Sequence, residues 1–219
     1  RWVHIGPITY QPAELLKFGL IFGLALFFSR RIKEGTLNTK ETMYAFMLMM
    51  AGIGLEIVVL QKDLGTMVPI VAIMLTMLYL SGISLKRFSA VLAIIVIGGV
   101  LAIAGAGHRR DRVLTFLNPE ADVMGTGYHI NQALIAVGSG GLFGKGLGRS
   151  VQAYGYLPEA ANDSIFAIMG EKFGFIGMLV VFTIYGALLF RILRIVARAP
   201  NDYLRFVSGG VFAWMCVQA

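Results

Sequence analysis

The residues of this chain best placed to do chemistry lie between Gly138 and Asp163, in the stretch GSGGLFGKGLGRSVQAYGYLPEAAND. This stretch carries two basic side chains, Lys145 and Arg149, and ends with the acids Glu159 and Asp163 just before an apolar span. A carboxylate at the edge of an apolar span is costly to desolvate, which makes it a functional-site hypothesis. Basic side chains can hold an anion, and glycines let the backbone approach it closely. The stretch therefore predicts a membrane-surface site for a charged, lipid-linked substrate.

Asp163 has two interpretations on sequence physics alone. Its carboxylate can cap the following helix by accepting backbone N–H groups, or it can act as a catalytic base or ligand. Glu159 lies four residues earlier and shares a helix face with Asp163 if the helix already runs there; otherwise it is an acid in the first turn after Pro158. The same choice between cap and functional group applies to Asp63. Both alternatives stay open for both aspartates.

The glycine-rich stretch and the run HRRDR at 108–112 each have a structural and a functional interpretation. The glycine-rich stretch is not a Walker A motif, because Ser139 stands where a glycine is needed and Gly146 where serine or threonine is needed. It is either a turn that packs on a helix or a loop that contacts an anion. The run HRRDR at 108–112 holds Arg109 and Arg110 at the end of an apolar span. These arginines either anchor the chain at the interface by snorkelling or form a diphosphate clamp with bidentate donors.

The composition indicates an integral membrane protein. Of the 219 residues, 57% are hydrophobic and only 14% are charged, against about 25% charged in soluble domains. The net charge of +7 comes from basic residues between apolar spans, so we expect contacts to membrane lipids and no nucleic-acid partner. The single cysteine, Cys216, excludes an internal disulfide framework, and the three histidines lack the spacing of metal ligands. We predict no metal site.

Hydropathy predicts six membrane spans, at 13–29, 42–60, 67–82, 89–107, 164–190 and from about 206 onward. We expect the fifth span to bend at GEKFGFIG. The short loops at 30–41, 83–88 and 191–205 hold ten Lys and Arg residues, and the alternate loop at 61–66 holds one. The positive-inside rule therefore predicts that the first three loops are cytoplasmic and that the long loop at 108–162 is extracytoplasmic. Within that loop we expect a short amphipathic helix at 129–137.

Charged side chains inside the spans are few enough to examine singly. Glu14 and Lys17 are three residues apart and share a face of the first helix. They form either an interfacial ion pair at the helix start or a pair that faces the bundle interior near the site, and the spacing does not choose between these. Glu56 in the second span is expected to be buried.

Four motifs follow one another in a recognisable order: RWVHIGPITYQPAE at 1–14, LQKDLGT at 60–66, RRDRVLTFLNP at 109–119, and GSGGLFGKGLGRSVQ with YLPEAANDSIFAIMGEKFGFIG across 138–177. Together they resemble the SEDS family of polytopic peptidoglycan polymerases, which includes FtsW, RodA and SpoVE, and GLGRSVQ with YLPEA is closer to the division members. The resemblance implies an all-α transmembrane bundle of about ten helices. Residues 1–219 would be a single domain of that kind, a fragment that lacks both termini and holds about six spans.

The resemblance also implies an activity. It is that of a glycosyltransferase that polymerises lipid II, an undecaprenyl-diphosphate-linked disaccharide peptide, during cell division at the outer face of the bacterial cytoplasmic membrane. The family's essential aspartate falls on Asp163, and its paired Glu and Lys fall on Glu14 and Lys17. The family's His-Thr before that aspartate is Ala161-Asn162 here, so Asp163 has to act as general base without a histidine.

The remaining expectations concern the substrate groups and partners. Positive charge for the departing diphosphate is expected from Lys145, Arg149, Arg109 and Arg110, with Glu159 also among the substrate-binding residues. The implied partner is a class B penicillin-binding protein that acts as a transpeptidase. No cofactor is expected, and a divalent cation on the diphosphate is left open. Two other functions stay open as well: a lipid II flippase and a non-catalytic scaffold that activates a transpeptidase.

Overall fold

The computed structural model describes residues 3–6, 8–61, 63–107, 110, 114–115, 128–146, 148 and 165–218. In chain order its elements are β1 (Val3–Ile5), β2 (Ile8–Tyr10), α1 (Pro12–Lys33), α2 (Lys40–Gly54), a π-helical turn (Leu55–Leu60), α3 (Leu64–Leu80), α4 (Leu85–Ala104), α5 (Tyr128–Gly140), α6 (Ile165–Ala197) and α7 (Asp202–Gln218). The chain forms two compact units. The first contains Arg1–Gly99 and Leu188–Ala219, and the second contains Val100–Ala187.

The predicted helical class is confirmed, since a helix occupies each of the six predicted spans. Four described helical segments are long and apolar enough to cross a membrane: Pro12–Lys33, Lys40–Val59, Leu85–Ala104 and Ile165–Ala197. The other two, α3 and α7, are 17 residues long each, which is near the lower limit for a spanning helix.

Several helices extend beyond the apolar residues that predicted them. Helix α1 continues through Arg30, Arg31 and Lys33 in its last turn, and α6 continues through Arg191 to Ala197. Long basic side chains can remain helical while their charged ends reach water or headgroups. A cation in the last turn also interacts favourably with the helix dipole. Hydropathy therefore marks the membrane-compatible part of each helix rather than its ends.

A short antiparallel hairpin precedes α1 and is absent from the all-helical prediction. Strands β1 and β2 pair in the register Val3↔Tyr10 and Ile5↔Ile8. Gly6 at the turn has a φ of 61°, which glycine adopts without the steric cost of a Cβ. Helix α1 then begins at Pro12, where the missing N–H of proline is not needed for a helical bond.

The core of the first unit lies where α7 packs against α1 and α3. The ring of Phe28 on α1 lies 5.6 Å from the ring of Phe206 on α7 and 5.7 Å from that of Phe46. Close approach depends on small residues: a Cβ at Gly210 would lie 3.0 Å from the side chain of Ile21 and 3.2 Å from the sulfur of Met77. Small residues at helix contacts are typical of packing in membranes, where lipid is as apolar as the side chains.

The junction between the π-helical turn and α3 bears on two sequence expectations. Asp63 caps α3, because its Oδ1 accepts a hydrogen bond from the backbone N–H of Thr66 at 3.2 Å. Glu56 is exposed rather than buried, and its Oε1 accepts a hydrogen bond from Gln61 Nε2 at 3.3 Å. The expectation for Glu56 was wrong because hydropathy identifies a span but does not indicate which side chains face its neighbours.

The second unit contains α5 and most of α6. Ala136 of α5 packs against Ala167 and Ile168 of α6. Helix α5 covers the stretch at 129–137 where the sequence predicts a short helix. The bend predicted in α6 is confirmed at Gly174, whose φ of 66° and ψ of −169° are not helical.

Candidate functional site

The glycine-rich stretch inserts its backbone into the opened turn of α6. In an uninterrupted helix the N–H groups of Phe175 and Ile176 would donate to the carbonyls four residues earlier. Here the Phe175 N–H donates to Gly141 O at 2.8 Å, and the Ile176 N–H donates to Leu142 O at 3.1 Å. The bend thus leaves these amides paired with the loop, as a buried or membrane-embedded backbone requires.

The carbonyls on the other side of the bend are paired with the loop in the same way. Glu171 O accepts a hydrogen bond from the Lys145 N–H at 2.9 Å, and Lys172 O accepts one from the Gly146 N–H at 3.0 Å. Four intersegment backbone hydrogen bonds therefore join residues 141–146 to residues 171–176. We name this arrangement, the loop at 141–146 held in the bend at 171–176, the inserted loop.

Glycine is required at three positions because the two backbones approach too closely for side chains. A Cβ would lie 2.1 Å from Gly170 O at position 140, 2.2 Å from Lys172 O at position 144 and 2.3 Å from Gly144 N at position 174. These neighbours are backbone atoms, which cannot move aside as the end of a flexible side chain can. Gly144 and Gly174 also have positive φ values of 77° and 66°, which disfavour other residues.

A charged pair fixes the inserted loop to α6. Lys145 Nζ lies 3.0 Å from Glu171 Oε1, and the Glu171 side chain is fully buried while that of Lys145 is 36% exposed. Ser139 Oγ lies 3.5 Å from the same carboxylate oxygen. A buried carboxylate is costly unless it is paired and hydrogen-bonded. The pair therefore holds the loop and the helix together through side chains as well as through backbone.

This geometry bears on the two interpretations of the glycine-rich stretch. The described part, through Gly146, forms a turn that packs on a helix. Lys145, expected to hold an anion, is committed to Glu171, so its positive charge is largely balanced within the protein. Its partial exposure keeps the ammonium in contact with its surroundings at the edge of the inserted loop.

The second charged cluster lies in the first unit, between α1 and α7. Lys17 is buried, and its Nζ donates to Glu14 Oε1 at 2.7 Å and to Gln218 Oε1 at 2.5 Å. The Trp214 ring centroid lies 5.1 Å from the same ammonium. The Trp214 indole N–H also donates to Gln218 Oε1, so one amide oxygen serves two donors.

This cluster places the Glu14–Lys17 pair at a helix contact. The Lys17 side chain is 1% exposed, whereas that of Glu14 is 41% exposed. A buried ammonium is tolerated here because a carboxylate, an amide oxygen and an aromatic face surround it. The geometry favours the interior pair over a simple interfacial one.

The structure covers only part of the remaining predicted site. Asp163, Glu159, Arg149 and Arg109 lie outside the described residues. Arg110 is described and exposed, and its backbone N–H donates to Ala106 O at 3.2 Å. Among the residues that the structure describes, no group of three or more His, Cys, Asp or Glu residues could hold a metal ion.

Three residues of these clusters were missed by sequence reasoning: Glu171, Trp214 and Gln218. The signal for Glu171 was present, because an acid within an apolar span is costly and therefore informative. Gln218 is uncharged, and its partner Lys17 is 201 positions away in sequence. Its role follows only from the contact between α1 and α7.

Comparison with known proteins bears directly on this fold. The family model FtsW/RodA/SpoVE, described as a cell cycle protein, matches residues 1–219. The chain belongs to the FtsW/RodA/SpoVE family. Its relatives include two proteins described as a probable peptidoglycan glycosyltransferase FtsW. The one from Haemophilus influenzae is 39% identical over 100% of this chain and 56% of that protein. The one from Idiomarina loihiensis is 38% identical over 100% of this chain and 54% of that protein. The stage V sporulation protein E of Bacillus subtilis is 36% identical over 99% of this chain and 59% of that protein.

The chain of this FtsW/RodA/SpoVE family member spans somewhat more than half the length of these curated relatives. A solved chain from a peptidoglycan synthase complex that coordinates polymerization and crosslinking shares the fold, with a TM-score of 0.70 and 22% identity over 98% of this chain and 58% of that chain. Family membership and the four long apolar helices establish a membrane protein.

Proposed function

We propose that this chain is part of a peptidoglycan glycosyltransferase that polymerises lipid II into glycan strands during cell division. The observation that carries the proposal is the relationship to proteins described as probable peptidoglycan glycosyltransferases, which runs over the whole chain at 35–39% identity. The alignment therefore includes the glycine-rich stretch and the segment that contains Asp163.

In the proposed reaction the 4-hydroxyl of one lipid II sugar attacks the anomeric carbon of another. A new glycosidic C–O bond forms, the bond from the anomeric carbon to the diphosphate oxygen breaks, and polyprenyl diphosphate leaves with the bonding electron pair. The hydroxyl proton passes to the Asp163 carboxylate. A positioned base of this kind contributes about 10²–10⁴-fold to the rate.

Positive charge has to stabilise the oxocarbenium-like transition state and the departing diphosphate. The proposal assigns this role to Arg109, Arg110 and Arg149, since arginine pairs with phosphate through two donors. Lys145 has a smaller direct part in it than its sequence position indicates, because its ammonium is paired with Glu171 at 3.0 Å. Glu159 is retained as a substrate-binding residue.

The proposed setting is the bacterial cytoplasmic membrane, with the reaction on its extracytoplasmic face. The ten basic residues in the loops at 30–41, 83–88 and 191–205 support this orientation, because basic loops remain in the cytoplasm. The proposed partner is a class B penicillin-binding protein. Its support is the likeness of the fold to a chain of a peptidoglycan synthase complex.

The test is polymerisation of labelled lipid II by the purified protein in liposomes together with its transpeptidase. Asp163→Asn keeps the shape of the side chain and removes the base, so we expect folded protein and no glycan strands. Asp202→Asn makes the same chemical change at the start of α7 and should leave the glycan length unchanged. Normal strands from Asp163→Asn would refute the role of Asp163.

The same liposomes distinguish the two alternative functions. A flippase would move labelled lipid II to the other leaflet without forming polymer. A scaffold would do neither, and any polymer would then depend on its partner alone. Reading glycan length and leaflet position in one preparation separates the three functions.

A further inference from the structure

We propose that Glu171 is a positioning residue for this reaction, and that it acts through Lys145 to lock the inserted loop into the bend of α6. The inference rests on the proposed function, because it assigns a part in that reaction to a fully buried carboxylate. It adds a residue that neither the motif resemblance nor the named relatives single out.

The inserted loop directly precedes the segment that carries Asp163. Residues 147–164 connect the inserted loop to the start of α6, and they include Arg149, Glu159 and Asp163. Backbone hydrogen bonds tie Lys145 to Glu171 and Gly146 to Lys172. The described residues before and after this segment, Gly146 and the bend of α6, therefore belong to one hydrogen-bonded structure. Restricting both ends of a segment removes much of its conformational freedom.

The charged pair stabilises the inserted state of the loop. Glu171 is fully buried, and its carboxylate lies 3.0 Å from Lys145 Nζ. Only the carboxylate of this pair is buried, so removing the Lys145 cation from it costs more than removing both charges. Replacing the carboxylate by an amide leaves the Lys145 ammonium without its counterion, so its more favourable state is hydration away from α6. The charge on Glu171 thus favours the inserted state of the loop.

A lock and direct anion binding by Lys145 predict opposite effects of removing the Glu171 charge. If Lys145 acted independently as a cation for the diphosphate, Glu171 would only weaken it by neutralising its charge. Glu171→Gln would then preserve or increase the rate. If the pair acts as a lock, the same change slows the chemical step because the inserted loop, which precedes Asp163 in the sequence, is no longer held in the bend of α6.

The experiment measures steady-state lipid II polymerisation by the protein with its transpeptidase in liposomes, normalised to folded protein. For Glu171→Gln we expect kcat to fall at least tenfold while KM for lipid II changes less than threefold, because the buried Glu171 carboxylate acts through the inserted loop. Lys145→Met should lower kcat at least as much, because it takes the cation from the buried carboxylate, and the double variant should lose less than the sum of the two single variants. Lys145→Arg keeps the ion pair and should stay within threefold of the unaltered protein.

Matched controls make the same chemical changes outside the lock. Glu34→Gln alters an exposed acid just after α1. Lys33→Met removes a positive charge from an exposed side chain in the last turn of α1. Both should leave kcat and KM unchanged. Hydrogen–deuterium exchange provides a structural readout, since Glu171→Gln should accelerate exchange at Lys145, Gly146, Phe175 and Ile176.

Three results would overturn the inference. They are a kcat for Glu171→Gln within twofold of the unaltered protein, a loss that appears in KM with kcat unchanged, and additive losses in the double variant. If Glu171→Gln does not yield folded protein, Lys145→Met and Lys145→Arg decide the question by the same criteria. Asp163→Asn is measured in parallel: an active Asp163→Asn refutes the proposed base, whereas an inactive Asp163→Asn beside a fully active Glu171→Gln refutes only the lock.

Discussion

The glycines in and just before the inserted loop differ in two properties that determine whether alanine can replace them. One is a positive φ, and the other is the presence of backbone atoms in the space that a Cβ would occupy. Gly144 has both a positive φ and backbone atoms in the space of a Cβ. Gly140 has only the close contact, and Gly146 has only the positive φ of 86°. Gly138, within α5, has neither. Alanine at each position therefore separates backbone strain from steric exclusion.

The expected magnitudes follow from these contacts. A left-handed backbone costs a residue with a Cβ about 1–2 kcal/mol, which is the whole expected effect for Gly146→Ala. At Gly144 the new Cβ, 2.2 Å from Lys172 O, also breaks the two adjacent hydrogen bonds, each worth about 0.5–1.5 kcal/mol. The sum for Gly144→Ala is about 2–5 kcal/mol. Gly140→Ala should cost about 1–3 kcal/mol from overpacking.

Hydrogen–deuterium exchange of the protein in lipid nanodiscs reads this loss directly. Since each 1.4 kcal/mol is a factor of ten, Gly144→Ala should speed exchange at the Lys145 and Phe175 amides by about 30-fold to a few thousand-fold. Gly146→Ala should speed it by about 5-fold to 30-fold. Gly138→Ala should have no such effect, because alanine is the better helix former by about 0.8–1 kcal/mol.

The refuting result is equally specific. If Gly144→Ala accelerates exchange no more than Gly146→Ala, close approach of the two backbones does not hold the loop. If Gly138→Ala accelerates exchange as much as Gly144→Ala, the whole segment is generally sensitive to substitution. In that case the bend of α6 does not depend on the inserted loop.

Two further predictions concern the first unit. Glu14→Ala should lower the free energy of unfolding by about 1–3 kcal/mol. The loss is smaller than for a fully buried pair because Glu14 is 41% exposed. An unchanged thermal midpoint in detergent would contradict a stabilising role for the pair with Lys17. Gly210→Val should cost about 1–3 kcal/mol by overpacking α7 against α1 and α3, whereas Gly98→Val, where nothing lies within 4 Å of a Cβ, should shift the midpoint much less.

The positions of the helices were predictable because the signal for each is local. A run of apolar residues of sufficient length indicates a spanning helix whatever its neighbours are, and all six predicted spans contain a helix. The bend in α6 was predictable for the same reason, since GEKFGFIG interrupts the span with glycines and charges. The hairpin before α1 was missed because its strands are only three residues each, too short to show a period.

The candidate site was predictable only in its residue types. The sequence identified Lys145 as a candidate residue. It also identified the Glu14–Lys17 pair, because the spacing puts both side chains on one helix face. It also indicated that the glycine-rich stretch either packs on a helix or contacts an anion. Asp163 stays a prediction from the resemblance, since it lies outside the described residues.

By itself, then, the amino-acid sequence determined the membrane class, the family motifs and the order of the helices, because hydropathy and motif spacing are properties of neighbouring residues. Only the tertiary structure decided that Lys145 pairs with Glu171, 26 positions away, and that Lys17 meets Gln218 across 201 positions. Those contacts depend on which helix faces meet and on how closely two backbones approach. The cost of burying a charge then determines which partners it must have.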